Sequence, residues 1–176
     1  MKKIIFLLFL VAGIYVVQRG WGTDYYEVAK QKITQYAPNN KNYVIVIDYR
    51  KNILQKRLYV IDMKTGEHLI ESRVSHAFKS GILYPSNYSN VVDSKKSSVG
   101  DFITLNQIQS PKCGFSMQLK GLNEGVNDNS TKREIIFHST SCMKFLWSHG
   151  CFATPEETNR KIINLTKNGC LVVVIS

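Results

Sequence analysis

The chain has 176 residues, 44% hydrophobic and 20% charged, with 23 Lys and Arg against 13 Asp and Glu. That length gives one domain with a single core, the composition excludes a disordered chain, and a formal charge of +10 favours polyanionic surroundings. The lysines are scattered in ones and twos without interleaved aromatics, which argues against a nucleic-acid partner and leaves an anionic cell wall or membrane surface.

Met1-Lys2-Lys3 followed by an apolar run from Ile4 to Val17 has the n-region and short h-region of a signal peptide. Export to the periplasm or cell envelope is therefore expected, with residues 1–22 a cleaved signal peptide or a retained membrane anchor. Thr23 to Glu27 resembles a capping box, and Pro38-Asn39-Asn40 ends the helix it opens. Residues 23–42 thus read as a short helix or spacer, with Val28, Ile33 and Tyr36 too few to make it a core element.

Strands are expected at 43–48, 58–62 and 68–74, the last two joined as a hairpin by Met63-Lys64-Thr65-Gly66. Residues 76–100 are polar and long for a neutral connection. Further strands are expected at 102–105 and 115–119, joined through a loop with Pro111 and Gly114, and 121–129 is turn-rich. Ile135-Ile136-Phe137 ends a buried strand that delivers His138 to its tip. Thr154-Pro155-Glu156-Glu157 opens a helix, with Thr154 as N-cap and Pro155 at the first helical position, which turns Ile162, Ile163 and Leu165 inward and stops before Gly169. The apolar run 170–175 is the final strand, and the expected fold is mainly β (α+β), a single domain of about eight strands.

The chemistry concentrates between Ile135 and Ala153. A cysteine attacks as thiolate, and a free thiol with pKa of about 8.5 needs a base within hydrogen-bond reach. His138 and Cys151 supply that pair, and Gly150 permits a tight turn whose backbone N–H groups face an oxyanion. The helix opening after Cys151 would favour the thiolate if its axis points there. No second cation is evident beside Cys151 in the sequence.

Ser148-His149-Gly150-Cys151, with the upstream His138-Ser139, resembles the signature of the YkuD-like L,D-transpeptidases, in the branch called murein L,D-transpeptidase catalytic domain proteins. Further stretches carry the likeness, among them Arg57 to Asp62, Val74-Ser75-His76, Ser97 to Gly100, Leu119 to Asn123 and Asn127-Asp128-Asn129, so that it covers residues 43–176. It implies one YkuD-like catalytic domain with a helix after the nucleophile, no cofactor and no metal. It also implies an enzyme that acts on peptidoglycan stem peptides. Cys151 would be the nucleophile, His138 its base, and Ser139 the group orienting the base through its carbonyl. Ser148, His149 and Gly150 would lie on the oxyanion or substrate side, and His76, Ser89, Asn90 and Gly100 near the substrate cleft. Three departures stand out: a short interval from His138 to Cys151, Phe152 where the branch carries proline, and His76-Ala77 in place of His-Gly.

Other readings stay open at this point. The same acyl-enzyme resolved by water makes an L,D-carboxypeptidase, and a non-catalytic envelope-binding domain would keep the fold alone. His138, Cys142, His149 and Cys151 offer metal-ligand types, in spacings that match no structural zinc pattern. Cys113, Cys142, Cys151 and Cys170 allow three full pairings in an oxidising compartment. A Cys142–Cys151 disulfide would switch the enzyme off, whereas Cys142 joined to Cys113 or Cys170, or left free, would not.

Overall fold

The computed structural model describes residues 22–176; the leader expectation falls on 1–22 and so lies outside the described residues but for Gly22. Among the described residues, two α-helices, α1 (Tyr25–Tyr36) and α2 (Glu156–Thr166), accompany eight strands. These are β1 (Asn40–Asp48), β2 (Leu58–Asp62), β3 (His68–Ser72), β4 (Gly100–Ser110), β5 (Gly114–Gly121), β6 (Ile136–Ser139), β7 (Phe152–Thr154) and β8 (Cys170–Ile175). They form one sheet in the order β3-β2-β1-β8-β4-β5-β6-β7. The fold is mainly β, as expected.

β1 and β8 lie parallel at the centre. Successive side chains of a strand point to opposite faces, and here both faces are covered. Val44 and Val46 face α1, and Ile45 and Ile47 face the main core beneath α2, so the segment reads as an unbroken apolar run. α1 is more than a spacer. Asp24 caps it by accepting from the Tyr26 and Glu27 N–H groups at 3.0 and 3.1 Å. Tyr25 and Ala29 are buried against the sheet, and the Tyr25 hydroxyl donates to Asp48 at 2.8 Å. A small residue and a tyrosine make these contacts, and apolar periodicity gives little weight to either.

β4 and β5 run further than expected, pairing out to Ser110 opposite Gly114 across a register shift between Thr104 and Gln107. Asn106, Gln107 and Gln109 are exposed in this outer ribbon, so no alternation of apolar residues marks it. At the other end of the sheet, the chain beyond β3 returns to the β7 edge. Ser75 N–H donates to Ala153 O at 2.9 Å, Ala153 N–H donates to Ser75 Oγ at 3.0 Å, and Ser148 N–H donates to His76 O at 2.9 Å. These bonds curl the open sheet into a near-barrel and fix the ground on which the site stands.

α2 starts one residue later than expected. Pro155 occupies the cap position without a side-chain hydrogen bond, and Thr154 closes β7, where its hydroxyl is buried and unpartnered. Strand pairing with Ser139 has claimed the threonine that the sequence pattern assigns to the cap.

Candidate active site

β6 and β7 are parallel neighbours, with Phe137 opposite Phe152 and His138 opposite Ala153. His138 near the end of β6 and Cys151 just before β7 therefore reach one mouth, and both line a cavity of about 710 Å³. Phe152 is fully buried, with its ring 5.3 Å from that of Phe137 and 5.6 Å from that of Phe102. The position after Cys151 is thus a core aromatic here, which accounts for the missing proline.

His138 is buried, with Nδ1 2.8 Å from the Ser139 carbonyl oxygen. That oxygen only accepts, so Nδ1 carries the hydrogen and Nε2 is left without a partner among the described residues. Burial lowers the imidazole's affinity for a second proton, the Lys112 charge lowers it further, and the Ser139 carbonyl opposes both. Cys151 Sγ is 3.5 Å from the Glu134 carbonyl, and among the described residues no hydrogen bond joins it to the His138 ring. Burial pushes the thiol up; the Ile136 N–H and the charges of Arg133 and Lys112 pull it down, and Glu134 pushes it up.

The turn before Cys151 closes on itself. Ser148 Oγ donates to Cys151 O at 2.7 Å and accepts from Gly150 N–H at 3.1 Å. Gly150 has φ of 129°, and a Cβ there would meet Lys96 O at 2.9 Å and Ile135 Cδ1 at 3.1 Å, so both conformation and space demand glycine. Its N–H, expected on the oxyanion side, is committed to Ser148. His149 is exposed and lines the cavity beside Cys151.

The polar stretch 76–100 stands behind this turn, and none of His76, Ser89, Asn90 or Gly100 lines the cavity. His76 is fully buried. Arg57 Nη2 donates to its Nδ1 at 2.9 Å, which places the ring hydrogen on Nε2, where it donates to Gly81 O at 2.9 Å. Burial holds its pKa down at about 4. Ala77 is also buried, its N–H bonded to Ser97 Oγ at 2.8 Å. Asn90 bonds to Asp128 at 2.6 Å and to the Asn129 N–H at 3.0 Å. Gly100 opens β4 at φ of 91°, with a would-be Cβ 2.4 Å from Asn123 Oδ1. Ser89 offers its carbonyl to Arg133, whose guanidinium also reaches Ser98 Oγ, Ser94 Oγ and Lys96 O.

Cys142 is joined to Cys113 by a disulfide, with Cα atoms 5.2 Å apart, and Cys151 and Cys170 are free thiols. The Cys142–Cys151 switch is therefore corrected. A 3₁₀ turn over Thr140–Cys142 brings Cys142 to Cys113 at the tip of the β4–β5 hairpin. Cys142 Sγ rests 3.3 Å from His138 Nδ1, so the disulfide packs against the His138 ring and walls the cavity. The sulfur and nitrogen atoms of Cys113, His138 and Cys142 lie within 4.8 Å of one another, but the disulfide leaves neither sulfur as a thiolate ligand. At the start of α2, Glu156 and Asn159 border a second hollow with Ser139 and Cys142.

Sequence reasoning missed Arg133, Lys112 and the rim residue Trp147. Trp147 Nε1–H donates to Ile82 O at 2.8 Å, with its ring 5.4 Å from that of Phe78. Only the fold brings these residues to the site; a lone Arg or Trp carries no local signal of it.

The L,D-transpeptidase catalytic domain family matches the chain over residues 19–175. No curated protein matches it. Among solved structures, the helical cell shape determining protein of Campylobacter jejuni superposes with a TM-score of 0.52 at 14% identity, covering 85% of this chain and 53% of its own. An Enterococcus faecium L,D-transpeptidase gives 0.50 at 12% identity, covering 76% and 49%. The chain thus spans about half the length of these solved proteins, and the likeness is one of fold.

Proposed function

The chain belongs to the L,D-transpeptidase catalytic domain family, and from that premise we propose that it is a cysteine-dependent peptidoglycan L,D-transpeptidase of the cell envelope, with residues 1–22 as signal peptide or anchor. The observation that carries the reading is the shared opening of His138 and Cys151 onto one cavity, with His138 Nε2 left unpartnered among the described residues and the Cys151 thiol free.

In this reading Cys151 gives its proton to His138 Nε2 and attacks the carbonyl of a stem-peptide residue, forming a carbon–sulfur bond and a tetrahedral oxyanion. The Cys151 backbone N–H receives that oxyanion, since Gly150 N–H is engaged with Ser148. Collapse breaks the peptide bond, and His138 returns the proton to the departing amine of the terminal D-residue. An acceptor amine then attacks the thioester, passes its proton to His138 and regenerates the Cys151 thiol. Ser139 O holds Nδ1–H throughout, so Nε2 stays the working nitrogen.

Incubation with disaccharide-tetrapeptide, with and without an amine acceptor, tests this. A cross-linked or amine-exchanged product that depends on Cys151 supports transpeptidation. Release of the D-residue alone, unaffected by acceptor, would make the protein an L,D-carboxypeptidase through the same acyl-enzyme, and an inert protein would sink the reading.

A further inference from the structure

Arg133 is half-buried and forms no ion pair among the described residues. Nη1 donates to Ser89 O and to Ser98 Oγ at 2.6 Å, and Nη2 donates to Lys96 O at 2.6 Å and Ser94 Oγ at 3.3 Å. All four acceptors are neutral and lie in one loop, so they fix the guanidinium without compensating its charge. Nη2 stands 3.5 Å from the point a Cβ on Gly150 would occupy, beside the peptide that leads into Cys151. A partly desolvated cation with no carboxylate partner is favoured by an anion that forms next to it, and Cys151, the residue after Gly150, carries a thiol able to become one.

The other groups facing that thiol fit the part less well. Glu134 has the wrong sign and is exposed, and Lys112 is exposed at the hairpin tip, where solvent and salt screen it. Tyr49 is a buried phenol whose pKa is raised. His138 is the base, and His149 is exposed to solvent.

We infer that Arg133 is a positioning residue for the nucleophile: it pins residues 89–98 behind the Ser148-His149-Gly150-Cys151 turn and supplies the positive charge that favours the Cys151 thiolate. The inference rests on Cys151 being the nucleophile. It also gives Ser89 a place in the site as an acceptor that holds Arg133. The guanidinium's terminal donors are spent on this loop, so Arg133 is not a ligand for substrate carboxylates.

Iodoacetamide alkylation of Cys151, followed against pH in the full chain by peptide mapping, tests this without any peptidoglycan substrate. Arg133→Gln raises the apparent alkylation pKa by about one unit and slows alkylation at neutral pH roughly 3- to 10-fold, while Arg133→Lys keeps the wild-type pKa and loses thermal stability through its missing hydrogen bonds. A Gln profile that superposes on wild type overturns the inference, and so does an equal shift in Gln and Lys, which would trace the effect to loop geometry. If Arg133→Gln does not fold, the Lys variant decides: a wild-type pKa supports the charge role and a raised one rejects it. A shifted Gln profile in a protein inert toward muropeptides would leave this inference standing and remove the proposed function.

Discussion

His76 and His138 flank the same turn from opposite sides, and both are held neutral by burial. His76 has both ring nitrogens in use, between Arg57 and Gly81, and its backbone carbonyl carries Ser148. His138 spends one nitrogen on Ser139 O and keeps the other for the cavity. A depressed pKa is common to both histidines, so the proposed division of roles rests on the number of committed ring nitrogens.

The contrast breaks most visibly in exchanged mutants. His138→Gln slows turnover by on the order of 10²- to 10⁴-fold, since the free Nε2 is lost, and the loss of the Nδ1–H bond to Ser139 O lowers the thermal melt less than His76→Leu does. His76→Leu leaves the Arg57 donor unpaired in the core and costs about 3 kcal/mol by denaturant titration, with turnover per folded molecule largely retained. The opposite pattern would exchange the two roles.

Reduction of the Cys113–Cys142 disulfide acts on the His138 side alone. Loss of the tether costs about 3 kcal/mol of stability, read as a lower melting temperature, and lowers activity because the cavity wall and the packing against the His138 ring are released. The direction is opposite to a Cys142–Cys151 switch, under which reductant would raise activity. A Cys113→Ser, Cys142→Ser double variant should match the reduced wild type and no longer respond to reductant.

A smaller effect appears in stability against pH. The His76 pKa lies at about 4 in the folded state, against about 6.5 in the unfolded chain, so folding favours the unprotonated ring. Its contribution is complete above pH 6.5 and is lost as pH falls toward 4. Denaturation midpoints between those values should show a slope that His76→Gln reduces; His138, also depressed, supplies part of the remainder.

Much of the scaffold is legible in the chain. The apolar runs of β1 and β8, the turn after β2 and the glycine before Cys151 each follow from a local rule. The outer half of β4 is not, because Asn106, Gln107 and Gln109 are exposed and no apolar alternation marks it. Thr154 is misread as a cap because strand pairing outcompetes a local capping preference. Long-range contacts hide the rest: His76 gains its meaning from Arg57, Arg133 from a loop some forty residues earlier, and Cys142 from a hairpin tip that spacing cannot locate.

The acyl-enzyme itself tests the account most directly. Acid-quenched mixtures of the protein with disaccharide-tetrapeptide, examined by intact mass and peptide mapping, should show an adduct equal to the donor less its terminal D-residue, carried on Cys151 and released by hydroxylamine. His138→Gln should form it far more slowly, and Cys151→Ala not at all. Turnover that continues in Cys151→Ala, or an adduct that maps to another residue, would contradict the assignment of this cavity as a thiol acyl-transfer site.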